Sequence, residues 1–398
     1  MKKVLSLLVV LTLSAGLLVG YGSGVSADEA VTAQVTEAKY VFYFIGDGLG
    51  AAQRQLAEYY MQETSGQDAK LVINNLPNAA INTTHSMDSL ITDSAAAGTA
   101  LATGQKTNNK MISVLPDGTE LKTLVELAEE KGMATGVATT TRVTHATPAV
   151  FISHNISRND ENAIAADYLD SGIDYLVGGG ARYFLPQGWV DGNKDVFGNT
   201  MKSKREDDRN LIKEFIDMGY KIGYGSRGAS EFFDYVPKEG DQYLNLFSYS
   251  HMPYTIDSDN SDLKVPTLAE MTEKGIELLS KDQDGFFFMI EAGRIDHACH
   301  PNDAAGAVFD TLALDDAVKE AYEFYLAHPD ETMIVVVGDH ETGGLGLGVN
   351  TDYFMTLGEL GKARMSIEEF MCSDYAYDGD REVFLANIEE IYGLTELT

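Results

Sequence analysis

The stretch Thr92-Asp93-Ser94-Ala95-Ala96-Ala97-Gly98-Thr99-Ala100 sets a hydroxyl before a run of residues with almost no side chain. Such a run suits a tightly packed helix, whose first-turn N–H groups favour an anion arriving at the Ser94 oxygen. The chemistry on offer is nucleophilic attack on an anionic ester, although a serine at a helix start is also a common cap. The nucleophilic reading therefore depends on groups able to ionise the hydroxyl. Asp296 and His300 stand four residues apart, which on a helical turn puts carboxylate and imidazole on one face, suited to one zinc ion. Asp339-His340, Asp47 between two glycines, and Glu291 add further ligand types. Thr144-His145-Ala146-Thr147-Pro148 offers an imidazole and a hydroxyl in one loop, followed by Arg158. A guanidinium fork is well shaped to hold a phosphate by two parallel hydrogen bonds. Each has an ordinary reading as well: an Asp between glycines is a turn residue, and an arginine after a loop is a surface charge.

What tips the balance is the set of elements that must carry these groups. Residues 39–45 (KYVFYFI), 285–290 (GFFFMI) and 332–337 are continuous apolar runs, the pattern of strands buried on both faces. They end at Asp47, Glu291 and Asp339, so three strands deliver carboxylates to one edge of one sheet, the carboxyl edge at which open α/β sheets bind ligands. Surface charge imitates any one of these clusters far more easily than all three at the same relative position. Helical spacing is expected over 51–62, 119–131 and 267–280, and further strands over 134–139 and 175–177. Gly178-Gly179-Gly180 lacks the Lys and Ser/Thr of a P-loop and reads as a strand-end turn. Residues 187–262, richer in Gly, Asp and Tyr, are expected to be surface loops and small insertions over the ligand edge. His85 is expected to be structural, and His251 has no assigned role. Residues 345–398 form an acidic tail, helical over 366–371 and 381–391, without an obvious final strand.

With 398 residues and 44% hydrophobic content, the chain is long enough for one large α/β domain or two smaller ones. Its 29 basic and 61 acidic residues give a formal charge of −32, which disfavours nonspecific attraction to nucleic acid or an anionic membrane. Two cysteines exclude a disulfide scaffold, and Cys299 reads as a small buried thiol. Met1-Lys2-Lys3, an apolar run over 4–19 and Val25-Ser26-Ala27 read as a secretory signal over 1–27, giving a secreted or periplasmic chain beginning near Asp28. The leader resembles a lipoprotein signal, but Tyr21 stands where the lipidated cysteine would be, so no stable membrane anchor is expected.

The motifs FIGDGLG, TDSAAAGTA, THATPAVF with SRN, VPTLAEMTEKGIELLSKDQDGFFFMIEAGRID and GDHETGG, in that order from about Lys39 to Gly344, resemble those of the metal-dependent alkaline phosphatases. The resemblance implies an α/β/α sandwich of three layers with a mostly parallel central sheet, here as a single domain over 28–398. It also implies two Zn2+ ions, one Mg2+ ion, and hydrolysis of small-molecule phosphate monoesters through a phosphoserine. Motif by motif, Ser94 resembles the nucleophile and Arg158 the phosphate-binding arginine. Asp47, Asp339 and His340 resemble ligands of the zinc that faces the serine, with Asp47 bridging toward magnesium. Thr147 and Glu291 resemble magnesium ligands, and His145 stands where some members carry aspartate and others histidine. Asp296 and His300 resemble ligands of the remaining zinc. The family supplies that zinc with a further histidine from near its C-terminus, whereas none of the eight histidines here follows His340. The expectation is either a chain lacking the C-terminal part of the family fold or substitution by Asp352, Asp374, Asp378 or His251. Dimers are common in the family, which allows a homodimer here. The alternatives are a related phosphodiesterase or sulfatase, or a truncated metal-binding protein with impaired turnover.

Overall fold

In the computed structural model, which describes residues 37–348 and 354–395, the apolar run after Lys39 becomes strand β1 (Tyr40–Gly46). The expected leader and Asp352 lie outside the described residues. Helices α1 (Ala51–Ser65), α2 (Ser94–Thr103) and α3 (Leu124–Glu130) follow, then β2 (Ala134–Arg142), α4 (Ala146–Ala149), α5 (Glu161–Asp167) and β3 (Tyr175–Gly179). Next come an antiparallel hairpin of β4 (Val190–Lys194) and β5 (Thr200–Lys202), then α6 (Leu211–Met218), β6 (Lys221–Tyr224), α7 (Gly225–Asp234) and β7 (Tyr243–Leu246). The remaining elements are α8 (Thr255–Asp259), α9 (Leu268–Leu279), β8 (Phe286–Ala292), α10 (Arg294–Cys299), α11 (Ala304–Ala327), β9 (Thr332–Gly338), α12 (Ile367–Cys372) and α13 (Arg381–Tyr392).

Seven strands form one sheet in the order β6-β7-β3-β2-β8-β1-β9, and every pairing is parallel. A parallel sheet needs crossovers, and the intervening helices cover both faces. Alternation along the strands assigns the faces. Phe42, Phe44, Phe286, Phe288 and Ile290 pack with α9 and α11 residues such as Met271, Leu279, Leu314 and Val318. Ile45, Val137, Phe287 and Met289 pack on the other face with Ala95, Val125, Val150, Ile164 and Phe215. The result is the expected α/β/α sandwich.

Two boundaries differ from the sequence reading. Residues 187–262 are not merely loops over the ligand edge: they carry β6 and β7, two strands of the main sheet. The helix expected over 119–131 begins only at Leu124, because Thr123 and Glu126 close a capping box there, while Leu121 is buried from the extended approach. Among the described residues, no helix is long and apolar enough to cross a membrane.

Candidate active site

Register explains why three acids meet. Gly46 of β1 pairs with Gly338 of β9 on one side and Ala292 of β8 on the other, so Asp47 and Asp339 leave adjacent strands together, with Glu291 beside Ile45. All three carboxylates are buried. Gly48 takes φ of +70°, and its N–H donates to Asp339 Oδ1 at 3.0 Å; a Cβ at Gly48 would stand 2.9 Å from the Asp296 backbone. That left-handed turn with close packing suits glycine alone.

Ser94 is the first residue of α2, not its cap. The cap is Asp93, whose Oδ1 accepts the N–H of Ala96 at 3.0 Å, leaving the serine hydroxyl unspent on capping. The small-residue run has a packing reason: a Cβ at Gly98 would meet Val150 Cγ2 at 2.9 Å, so glycine lets α2 lie against the segment carrying Thr147. Ser94 Oγ lies 3.2 Å from His340 Nε2 and 3.5 Å from Asp47 Oδ1. His340 Nε2 in turn lies 3.5 Å from Asp47 Oδ1 and 3.4 Å from Asp339 Oδ2. Ligands about 2.0–2.1 Å from a tetrahedral zinc are about 3.3–3.4 Å from one another, which is the spacing seen around these four atoms.

A second set joins Asp47, His145 and Glu291, whose ligand atoms lie within 4.8 Å of one another. Thr147 Oγ1 donates to Asp47 Oδ2 at 3.4 Å. Glu291 Oε2 accepts from the hydroxyls of Thr139 and, at 3.1 Å, Thr141, which fixes the carboxylate from the end of β2. Arg158 Nη1 donates to Asp93 Oδ2 at 3.1 Å, and Nη2 donates to His145 Nε2 at 3.1 Å.

The charges do not balance within the protein. Burial, then repulsion from Asp339, Asp296 and Glu291, pushes the Asp47 carboxyl well above its ordinary range, with Arg158 opposing. Burial pushes Glu291 up to about 7 and also raises Asp339. His145 is held well below its ordinary value by burial and by the Arg158 charge. Asp339 Oδ2 and Glu291 Oε1 are buried acceptors without a hydrogen bond, and His145 Nδ1, which carries the ring proton when Nε2 accepts from Arg158, is a buried donor without one. Orphaned acceptors among mutually repelling acids are the pattern a bound divalent cation relieves. Oxygen-rich surroundings at Glu291 and Thr147 suit a hard ion such as magnesium, and the His340 set suits zinc.

The remaining expected pair is incomplete. His300 Nε2 lies 3.3 Å from Asp296 Oδ2, and Asp296 Oδ1 accepts from Thr342 Oγ1 at 2.5 Å. Among the described residues, no third acid, histidine or cysteine closes a ligand set with this pair, and neither Asp374 nor Asp378 enters one. His251 is elsewhere: its ring lies 5.5 Å from His145 and 4.4 Å from His297, and its Nε2 takes Arg142 Nη1. Asp93, Thr139, Thr141, His297 and Thr342 all belong to the neighbourhood but were not among the candidates, and His251, a candidate substitute ligand for the Asp296 and His300 pair, joins the His145 and His297 rings instead. Asp93 alone had a local signal, preceding the serine at a helix start. His85 is exposed rather than structural. Cys299 is the expected buried thiol, pushed up to about 11 by burial, and neither cysteine forms a disulfide.

Buried acids in excess of their cations, set around a serine at the carboxyl edge of an α/β/α sheet, place the protein among metal-dependent hydrolases. The family model for alkaline phosphatase matches residues 38–390. Alkaline phosphatase 3 of Bacillus subtilis is 36% identical over 366 residues, spanning 90% of this chain and 72% of its own length. The solved cold-active alkaline phosphatase of a psychrophilic Shewanella superposes with a TM-score of 0.75 at 30% identity, covering 90% of this chain and 81% of that one. A His-to-Asp variant of the alkaline phosphatase of the Antarctic bacterium TAB5, with magnesium bound, superposes with a TM-score of 0.65 at 29% identity, covering 77% and 79% of the two chains. The chain belongs to the alkaline phosphatase family, the metal-dependent hydrolases of phosphate monoesters.

Proposed function

We propose that this chain hydrolyses phosphate monoesters by transient transfer of the phosphoryl group to Ser94. The observation that carries the reading is the shared position of Ser94 Oγ with His340 Nε2 and Asp47 Oδ1, 3.2 and 3.5 Å away, with Arg158 bonded to the neighbouring Asp93. The Ser94 hydroxyl gives up its proton as Oγ attacks phosphorus in line with the leaving oxygen; the P–O bond to the alcohol breaks, a P–O bond to serine forms, and the departing alkoxide takes up a proton to leave as the alcohol. Water then attacks phosphoserine, releasing inorganic phosphate and restoring the hydroxyl. Arg158 and the first-turn amides of α2 bind the non-transferring phosphate oxygens throughout. Asp93 fixes the orientation of the guanidinium by accepting from Arg158 Nη1.

Zinc held by Asp47, Asp339 and His340, magnesium held by Asp47, Glu291 and Thr147 with His145 beside it, and a second zinc on Asp296 and His300 would supply Lewis-acid chemistry and charge neutralisation. The chain's own task is to gather those carboxylates at one buried edge and to orient the serine, while bound cations would favour the ionised form that burial opposes. Export through the leader over 1–27 completes the proposal.

The test is steady-state hydrolysis of a chromogenic phosphate monoester by zinc- and magnesium-loaded protein beside Ser94→Ala, with a diester and a sulfate ester as controls. Parent turnover at least about 1,000-fold above the variant, roughly 4 kcal/mol of barrier, is expected, with the monoester preferred. Equal rates in parent and variant would sink the serine mechanism, and preference for the diester or sulfate ester would reassign the substrate.

A further inference from the structure

Among the described residues, one carboxylate of the acidic tail is bonded to Arg294, beside the candidate site. Glu368 of α12 accepts from Arg294 Nη2 at 3.2 Å and from the Tyr254 hydroxyl at 2.9 Å, both through Oε2. Arg294 stacks on the Tyr254 ring with its guanidinium carbon 3.6 Å from the centroid, and its Nη1 donates to His297 Nδ1 at 2.8 Å. His297 lies 5.4 Å from the ring of His145, which itself takes Arg158. The tail is bolted in place. Ser366 donates twice to Asp257, each bond 2.7 Å, and Ile367 N–H donates to Asp303 Oδ2 at 2.8 Å.

The geometry has a chemical consequence. An arginine cannot accept a hydrogen bond, so a neutral His297 bonded to it at Nδ1 must carry its proton on Nε2. Among the described residues, Glu368 is the one carboxylate in ion-pair contact with buried Arg294. Stacking on Tyr254 fixes the guanidinium plane, and Glu368 fixes its rotation within that plane.

We propose, resting on the phosphatase reading above, that Glu368 is a positioning residue for the phosphate pocket: it holds Arg294, and Arg294 holds His297 as an Nε2–H donor to the anion bound by Arg158. The segment that departs most from the family motifs thereby takes part in substrate binding.

The test is a double-mutant cycle of Glu368→Gln and His297→Ala in metal-loaded protein, read by inhibition by inorganic phosphate, kcat/KM and Tm, with ring-nitrogen NMR of His297 in parent and Glu368→Gln. Glu368→Gln is expected to weaken phosphate binding and kcat/KM together by roughly 3- to 10-fold, with Tm nearly unchanged, and to mix the His297 tautomers. In the His297→Ala background the same change is expected to cost less than about 2-fold, since its route is gone. Tyr254→Phe, which removes one bond to Glu368 and keeps the stacking ring, is expected to fall between parent and Glu368→Gln. Equal losses in both backgrounds, or a loss that follows a drop in Tm, would overturn the proposal. So would an unchanged His297 tautomer in Glu368→Gln. Should the parent hydrolyse no phosphate ester, the functional reading fails, while the NMR comparison still decides the brace.

Discussion

Removing a carboxylate from the site is expected to stabilise the metal-free protein, and Glu291 allows the size of the effect to be worked out. Its carboxyl rises from an ordinary 4.5 to about 7, chiefly through burial. A raised acid binds its proton more tightly in the folded state, so its contribution is fully present below about pH 4.5 and is lost as pH climbs through about 7. At 1.36 kcal/mol per unit the whole swing is about 3 kcal/mol, of which roughly 2–3 falls between pH 5 and 8. Asp47 and Asp339 are raised in the same sense, so the parent alone does not isolate the effect. Glu291→Gln does. The amide oxygen can keep the hydroxyls of Thr139 and Thr141, while the new NH2 takes the place of the orphaned Oε1. Chelator-treated parent and variant, compared by urea unfolding, are expected to be of similar stability at pH 5, with the variant ahead by about 2–3 kcal/mol at pH 8. Zinc and magnesium should reverse the order, because the parent alone keeps the full ligand set. A variant less stable than the parent at pH 8 without metal, or a difference that ignores pH, would refute the reasoning.

Other outcomes follow from the same geometry. Arg158→Ala is expected to raise the inhibition constant for phosphate by roughly 10- to 100-fold through loss of the paired donors, and Arg158→Lys to recover only part of it. Asp93→Ala should lower stability by about 1 kcal/mol through loss of the Ala96 cap, whereas Asp93→Asn, an equally good cap, should hold the parent Tm. If Asp296 and His300 alone hold the second zinc, phosphoryl transfer to Ser94 should outpace its hydrolysis. Rapid-quench labelling would then show phosphoserine accumulating, and equal rates for the two steps would count against the incomplete set.

The legible part of the site is the part whose positioning elements are local. Asp47, Glu291 and Asp339 could be read because each follows an apolar strand directly, and the register of β1 with β8 and β9 turned that shared position into proximity. The strands β6 and β7 escaped for the opposite reason: each is four residues long, and β7 buries Asn245, whose amide donates to the Gly228 carbonyl and the Tyr243 hydroxyl. A polar residue in so short a run hides the apolar signature. The start of α3 was readable in principle, since Thr123-Leu124-Val125-Glu126 spells the capping box that halts the helix there. No such local sign exists for His251, His297 and Glu368. They come from a loop after β7, from α10 and from the acidic tail, and only the fold brings their partners within reach. Glu368 is the sharper case, because its neighbour Glu369 is the same residue type and differs only in the direction α12 gives it: Glu368 reaches Arg294, while the Glu369 N–H is spent on the Ser366 cap. Identity of side chain therefore says little in an acidic segment, and the geometry of docking decides which carboxylate acts on the site.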